Sequence, residues 1–209
     1  MTLPAPRFVR TPFFRRLAGR KTDRVRLTFD DGPHPAHTPA VLNRLDRYNV
    51  RATFFVLGNR VPATADVVRR IHSTGHAVGN HTFTHPQPQW FGFRAAFDEL
   101  AGCQQAVAEV IGERPTLFRP PLGRWTLPLR WACRRLGLTP MGWTLDSGDW
   151  RVRSADDAGQ CAAELLAAVR LGDVVLLHDY HPWIGLILDV LLPELSARGL
   201  IQPGRVPSA

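Results

Sequence analysis

Two neighbouring acids close the first apolar run of the chain, in the segment LTFDDGPHP at residues 27–35. Asp-Gly and Gly-Pro are turn dipeptides, so Asp30 and Asp31 serve either a turn or chemistry. Farther along, GNHTFTHP places His81 and His85 four residues apart, and on a helical turn this spacing brings both imidazoles to one face. Two histidines and one carboxylate can hold a metal ion and leave coordination positions open, as catalytic zinc sites do.

Strands must carry these residues to one place. Short apolar runs rich in β-branched or aromatic residues predict strands at 25–29, 52–56, 76–79, 117–119, 140–145 and 174–178, with a weaker one near residue 200. Helical spacing predicts helices within 38–48, 63–75, 94–112 and 154–170, the last with Ser154 as its N-cap. This alternation of strands and helices predicts a parallel sheet in one α/β domain.

The polar residues of interest follow the carboxyl ends of the predicted strands. In parallel sheets and barrels, the loops at that edge converge around the open ends of the strands and carry the active site. Residues far apart in sequence would then share one cleft. The side chains concerned are Asp30, Asp31, His81, His85, Arg119, Asp146, Asp149, His178 and Asp179.

The composition is ordinary for a globular protein, with 44% hydrophobic and 21% charged residues. The net charge of +8 comes from arginine, since Lys21 is the only lysine, and no nucleic-acid-binding motif accompanies it. We therefore expect no nucleic-acid partner. No apolar stretch approaches the roughly 18 residues that span a bilayer, so we expect no transmembrane segment. The N-terminal stretch lacks the apolar core of an export signal, which indicates the cytoplasm for the chain as written.

The cysteines and the composition of the terminal segments indicate a single domain without disulfide bonds. Cys103, Cys133 and Cys161 form an odd count without CxxC spacing, which predicts neither a disulfide framework nor a structural zinc site. Each lies in a helix-like stretch and is expected to be a buried free thiol. We expect a basic Pro/Arg-rich arm at 1–23, the domain at 24–203 and a short tail at 204–209.

Five ordered motifs resemble the polysaccharide deacetylases of the NodB-homology type, carbohydrate esterase family 4, over roughly residues 25–201. They are TFDDGP at 28–33, HTFTH at 81–85, RPPLG at 119–123, DSGDW at 146–150 and LLHD at 176–179. The segment ATFFVLG at 52–58 is also typical of that family. The resemblance implies an α/β fold, a distorted (β/α) barrel that is TIM-like with about seven parallel strands.

The resemblance also implies a metal centre. Asp31, His81 and His85 would hold one divalent metal ion, in first place Zn²⁺, with Co²⁺, Ni²⁺ or Mn²⁺ as alternatives. Such an ion would polarise an acetyl carbonyl and acidify a bound water. The two adjacent acids would then have different roles, because Asp31 binds the metal and Asp30 moves a proton.

An acid–base pair is implied next to the metal. Asp30 would act as the general base and pair with Arg119, which fixes this carboxylate. His178 would protonate the leaving amine, and Asp149 would hold its imidazole and raise its pKa. His181 lies in the same segment, but strand alternation favours His178, because His181 falls in a loop beyond the strand. A backbone N–H of the RPPLG loop would bind the oxyanion.

The substrate groove is less defined by the motifs. Leu122, Trp150 and Leu176 (or Leu177) are expected to wall a small acetyl pocket, and Leu122 stands where the family more often has an aromatic residue. A plain core role remains an alternative for the last two positions. Further aromatic residues could stack on sugar rings, although we expect packing roles for them: Trp90, Trp125, Tyr180 and Trp183.

The function implied is metal-dependent hydrolysis of N-acetyl groups on an amino-sugar polymer or oligomer of peptidoglycan or chitin type, releasing acetate. An O-acetyl ester hydrolase acting on xylan-type glycans is one alternative. A catalytically silent carbohydrate-binding relative and a non-haem iron oxygenase are others. The partner expected is therefore a carbohydrate, and the resemblance indicates the cell wall or the extracellular space. The glycan and the oligomeric state stay open.

Overall fold

The computed structural model describes residues 24–88 and 91–201. Seven parallel strands form one sheet in the order β5-β4-β3-β2-β1-β7-β6. The strands are β1 (Arg26–Asp30), β2 (Thr53–Val56), β3 (Ala77–Asn80), β4 (Leu117–Phe118), β5 (Thr139–Pro140), β6 (Leu145–Asp146) and β7 (Val174–His178). The α-helices in these ranges are α1 (His37–Arg47), α2 (Ala65–Ser73), α3 (Phe93–Ile111), α4 (Leu127–Arg135), α5 (Ala155–Ala168) and α6 (Ile184–Ala197).

The predicted barrel with about seven parallel strands is confirmed, but two predicted strands are wrong. The run 140–145 extends from the last residue of β5 to the first residue of β6, and these two strands lie at opposite edges of the sheet. Up to residue 201, where the described range ends, no strand forms near residue 200, and the carbonyl of Leu200 accepts a hydrogen bond from the N–H of Val25 at 2.7 Å. The predicted arm at 1–23 and tail at 204–209 lie outside the described residues. No described helix has the length and apolarity needed to cross a membrane.

The short connection between β5 and β6 forces the sheet to curl. A flat sheet of seven strands at a spacing of about 4.8 Å would separate its edge strands by about 29 Å. Five residue steps, from Pro140 to Leu145, span at most about 18 Å even when fully extended. The edges must therefore approach each other, and Met141 and Trp143 in the connection pack with Phe55 of the central strand β2.

Alternation along the strands separates an outer core from the barrel interior. Leu27 and Phe29 of β1 and Leu177 of β7 belong to the large apolar core that includes the helices. The alternate residues of these strands point to the other face, and Leu176 of β7 packs with the small inner cluster around Trp143. Because successive side chains of a strand point to opposite faces, Asp30 and His178 follow the inner set.

Four helices, α1, α2, α3 and α5, form where their sequence signals predict, whereas α4 and α6 were not predicted. The hydroxyl of Ser154 accepts a hydrogen bond from the N–H of Asp157 at 3.1 Å, which confirms this residue as the N-cap of α5. Helix α3 ends at Ile111 and is capped by Gly112, whose φ of 81° is the left-handed conformation that glycine adopts without strain. The three cysteines are free and buried, as predicted, and burial raises the pKa of the Cys103 thiol to about 12.

Candidate active site

The C-terminal edge of the sheet collects the side chains with predicted chemical roles. Asp30 and His178 end neighbouring strands and stand opposite each other in the β1–β7 register. The Nε2 atom of His81 lies 3.8 Å from Asp30 Oδ2, and its backbone follows β3. Arg119 follows β4 and reaches Asp30 at 2.7 Å. Residues up to 148 positions apart in sequence therefore meet at one edge of the sheet.

Asp31, His81 and His85 form a group that fits a metal ion. Asp31 Oδ1 lies 3.2 Å from Nε2 of each histidine, and the three ligand atoms lie within 4.8 Å of one another. This buried oxygen accepts no well-aligned hydrogen bond from the described residues, so it is left for a cation. Burial alone would raise the pKa of Asp31, but the contact with His81 and the nearby histidine charges hold that pKa below its usual value.

The loop at 81–85 is not the helical turn that the spacing predicts. Thr82 and His85 have φ values of 75° and 58°, in the left-handed region that residues other than glycine rarely adopt. The N–H of Thr82 donates to Asn80 Oδ1 at 2.8 Å, and the N–H of His85 donates to Thr82 Oγ1 at 3.1 Å. This tight turn, rather than a helix face, brings the two imidazoles together, with ring centroids 5.1 Å apart.

A hydrogen bond at Nδ1, the ring nitrogen that does not face Asp31, fixes the orientation of His81. Its Nδ1 lies 2.7 Å from the carbonyl oxygen of Arg119, which can only accept a hydrogen bond, so the ring proton sits on Nδ1. The lone pair of Nε2 then faces Asp31. A histidine that donates its other ring N–H to a carbonyl is the usual arrangement of a metal ligand.

Arg119 is fully buried, and its guanidinium donates hydrogen bonds to partners inside the barrel. Its Nη1 donates to Asp30 Oδ1 at 2.7 Å and to Thr28 Oγ1 at 2.8 Å, which holds the carboxylate in one orientation. Its Nε and Nη2 donate to the carbonyls of Met141 and Gly142. The predicted pairing of Arg119 with Asp30 is therefore present, and Asp30 Oδ2 remains on the side of His81.

A second carboxylate–imidazole pair lies at the end of β7. His178 Nδ1 lies 2.7 Å from Asp149 Oδ1, and the backbone N–H of His178 donates to Asp149 Oδ2, also at 2.7 Å. Burial alone would lower the pKa of His178, but the charge and hydrogen bond of Asp149 raise it to about 9. Because Asp149 engages Nδ1, Nε2 is the ring atom of His178 that is left for other partners.

His181 lies beyond the strand, as predicted, yet it also contacts the pair. Its Nε2 lies 3.2 Å from Asp149 Oδ2, so this carboxylate accepts from two imidazoles and one backbone N–H. The sequence LLHDYHPW contains both histidines, but it gives no sign that they share one acid. Burial opposes the ionisation of Asp149, and the two histidines hold its pKa below the usual value.

The loop after Asp31 is held by the residue that follows His178. A Cβ atom on Gly32 would come within 2.3 Å of Asp179 Oδ1, so only glycine allows this close approach. Asp179 Oδ2 accepts from the hydroxyl of Thr38, whose oxygen accepts from the N–H of His34 at 2.8 Å. Burial raises the pKa of Asp179 to about 7. The strand-end position of Asp179 was visible in sequence, but this contact was not.

The three predicted pocket residues differ in exposure. Leu122 is 57% exposed and lies in the turn Pro121–Gly123 with a φ of 56°. Trp150 is 43% exposed, and the guanidinium of Arg151 lies 4.4 Å from its ring centroid. Leu176 is buried in the inner cluster with Phe55, so it is a barrel residue in this structure.

The aromatic residues with expected packing roles are found mostly in such roles. Trp125 packs edge-on against Phe118 at 5.6 Å, and Trp183 packs against the large core. Tyr180 is half-buried and contacts the ring of His178 edge-on at 5.7 Å. Trp90 lies outside the described residues.

Known proteins are similar to this chain in sequence and in fold. A family model described as polysaccharide deacetylase matches residues 18–141. The peptidoglycan-N-acetylglucosamine deacetylase PgdA of Listeria monocytogenes is 38% identical over 176 residues, which cover 84% of this chain and 36% of that protein. The chain thus spans about a third of the length of that relative.

Two further matches cover most of both chains. A chitooligosaccharide deacetylase of a Bradyrhizobium species is 38% identical over 162 residues, which cover 77% of this chain and 73% of that protein. A family 4 carbohydrate esterase from Streptomyces lividans, solved in complex with acetate, superposes with a TM-score of 0.78 at 33% identity. That superposition covers 87% of this chain and 92% of the other.

Alanine at His81 or His85 tests the metal group. Each substitution removes one of the three candidate ligand atoms, so we expect loss of bound metal, measured by elemental analysis of protein purified without chelator. His72→Ala is the matched control, because His72 lies on α2 and pairs with Glu113 on the surface. Unchanged metal stoichiometry in both site variants would show that the ligand assignment is wrong.

Proposed function

Because the chain belongs to the polysaccharide deacetylase family, we propose that it hydrolyses N-acetyl groups of an amino-sugar polymer or oligomer and releases acetate. One observation carries this proposal. Two ion pairs, Asp30 with Arg119 and Asp149 with His178, lie at the same sheet edge as a three-residue group that fits a cation. Metal-assisted hydrolysis of an amide uses these parts: a base for water, an acid for the amine and a cation for the carbonyl.

The proposal includes one divalent cation held by Asp31, His81 and His85. Two imidazole nitrogens and one carboxylate oxygen are ligands that suit zinc, which is our first choice; Co²⁺, Ni²⁺ and Mn²⁺ are the alternatives. When bound there, such an ion supplies Lewis-acid chemistry, polarising the acetyl carbonyl and acidifying a water.

Asp30 is the proposed general base. Arg119 donates to its Oδ1, so Oδ2 is the atom that takes a proton from the attacking water. The pairing with a fully buried guanidinium holds this oxygen in one place, so the base is already positioned when the substrate binds.

His178 is the proposed general acid. Asp149 engages Nδ1, so Nε2 delivers the proton to the leaving nitrogen. The pKa of about 9 keeps the imidazole protonated at neutral pH, where an acid is needed. Asp30 and His178 stand opposite each other on adjacent strands, so base and acid can act on the same acetamide group.

A backbone N–H at the turn Pro121–Gly123 completes the proposed machinery. Pro120 and Pro121 have no N–H to offer. The N–H groups of Gly123 and Arg124 donate to the carbonyls of Pro120 and Pro121 at 3.0 and 3.1 Å. Leu122 is therefore the turn residue whose N–H would stabilise the oxyanion as the carbonyl becomes tetrahedral.

The substrate class follows from what the relatives are named for. One acts on peptidoglycan N-acetylglucosamine and another on chitooligosaccharides, and we propose a β-linked amino-sugar chain of this kind. A peptidoglycan substrate would place the action at the cell wall. The Streptomyces lividans esterase keeps O-acetyl esters as a second candidate, since the same groups serve an oxygen leaving group. The intact Asp30 and His178 disfavour a catalytically silent relative.

Acetate release from a panel of glycans tests the function. With zinc-loaded protein we expect acetate from acetylated peptidoglycan or from chitooligosaccharides, and at least tenfold less from acetylated xylan at equal acetyl concentration. Acetate measured enzymatically gives the rates, and Asp30→Asn protein is the blank. Faster release from xylan would favour the esterase, and no release from any member would contradict hydrolysis.

Asp30→Asn separates base from metal ligand. Asparagine keeps the shape and one oxygen for Arg119 but removes basicity, so turnover should fall by a factor of about a hundred or more while metal content stays the same. Steady-state rates and elemental analysis on the same samples provide the two values. Loss of metal would mean that Asp30 and Asp31 exchange roles.

His178→Ala tests the acid with two leaving groups. Hydrolysis of an acetamide should fall much more than that of p-nitrophenyl acetate, because the activated ester needs little protonation of its leaving group. The wild-type rate on the acetamide should fall as pH rises through about 9, since the imidazole loses its proton there. Equal losses on both substrates, or a larger loss in His181→Ala, would remove His178 from this role.

A further inference from the structure

The carboxylate of Glu99 holds the loop that carries two of the proposed metal ligands. Glu99 lies on α3, and its Oε2 accepts hydrogen bonds from the backbone N–H groups of Phe83 and Thr84, both at 2.8 Å. Its Oε1 accepts from the hydroxyl of Thr84 at 2.7 Å. Both carboxylate oxygens of Glu99 thus accept hydrogen bonds from the middle of the segment between His81 and His85.

We propose that Glu99 is a positioning residue for metal binding, acting through this loop on His85. The inference rests on the proposed function, which makes His81 and His85 metal ligands. Glu99 touches neither the reacting atoms nor the ligand nitrogens. Its effect is to keep the backbone in the one conformation that points both imidazoles at Asp31.

The two histidines differ in how firmly they are held. The N–H of His81 donates to the carbonyl of Val56 at 3.0 Å, and its ring is bonded to the carbonyl of Arg119. The N–H of His85 donates to the hydroxyl of Thr82, a residue of the same loop. Its position therefore depends on the shape of the loop, which Glu99 sets.

The loop conformation requires such a support. Thr82 and His85 both have left-handed backbones, which persist in non-glycine residues only when the surroundings fix them. The two peptide units in the middle of the loop are held from both sides. The N–H groups of Gly58 and Asn59 donate to the carbonyls of Thr82 and Phe83 at 3.0 and 2.9 Å, and Glu99 accepts from the N–H groups of the same two units.

Helix α3 offers a rigid base for this contact. A Cβ atom on Gly58 would lie 2.7 Å from Cα of Cys103 and 2.5 Å from the ring of Phe83, so helix, turn and loop are in close contact. One turn after Glu99, the buried Cys103 thiol donates to the carbonyl of Val56 at 3.4 Å. The side chain of Glu99 therefore projects from a backbone that is itself fixed on the barrel.

The neighbouring acid supplies a matched comparison. Asp98 precedes Glu99 on α3, but its carboxylate pairs with Arg94 one turn earlier at 2.8 Å on the exposed face. Removing Asp98 changes the charge of the helix by the same amount and leaves the loop contacts in place. A difference between the two variants then reports the loop bonds and not the charge of α3.

Zinc affinity of metal-free protein, measured by competition with a chromophoric chelator, tests the proposal. We expect Glu99→Ala to weaken zinc binding by about 10–100-fold, the usual cost of losing a group that orients a ligand. Glu99→Gln should restore most of the affinity, since its amide oxygen accepts from both N–H groups. Asp98→Ala should bind zinc like the wild type.

Two comparisons make the result decisive. Thermal unfolding in chelator should show that Glu99→Ala is folded before zinc is added; if it is not, Glu99→Asp serves instead, because its shorter side chain withdraws the oxygens from the loop. Affinity within twofold of the wild type in the folded variant, or an equal loss in Asp98→Ala, would overturn the positioning role. A wild-type protein that binds no zinc would instead overturn the metal site of the proposed function.

Discussion

The buried guanidinium of Arg119 is the interaction on which the rest of the site depends. A charge in the barrel interior is costly unless every donor finds a partner, and here Nη1, Nη2 and Nε all do. Its partners come from β1 and from the connection between β5 and β6, while its own carbonyl binds the ring of His81. One residue therefore fixes the proposed base, orients a proposed metal ligand and ties the connection that closes the sheet.

The curl of the sheet and the ion pair support each other. The connection between β5 and β6 brings Met141 and Gly142 into the interior, where their carbonyls accept from Arg119. The aromatic rings of Phe55 and Trp143 cover the guanidinium at 4.2 and 5.5 Å from their centroids. Apolar walls exclude water from the charge, and this strengthens its attraction to Asp30. Closure of the sheet therefore strengthens the ion pair of Arg119 with Asp30. The hydrogen bonds of Arg119 in turn help to hold the sheet closed.

Backbone strain is concentrated at the same sheet edge. Asp31, Thr82, His85 and Leu122 are four of the five non-glycine residues with positive φ in the described ranges. Such conformations cost roughly 1–3 kcal/mol each. Bonds from Glu99, Asn80 and the Gly58 turn hold the histidine loop, and Asp179 packs against the glycine after Asp31. The stability of the barrel core therefore maintains the positions of the side chains with proposed chemical roles.

The sequence by itself determined the parallel α/β arrangement, four of the six described α-helices and the strand-end positions of the site residues. These depend on local signals: a period of two along a strand, a helical period, and polar residues directly after apolar runs. Ser154 as an N-cap and the pairing of Asp30 with Arg119 were predictable for this reason, the second through the resemblance to a family. The tertiary structure alone decided that 140–145 divides between opposite edges, that residues 81–85 form a left-handed turn, and that Glu99 and His181 reach the site. Each of these depends on which distant segments supply hydrogen-bond partners, and the local pattern of a chain contains no information about them.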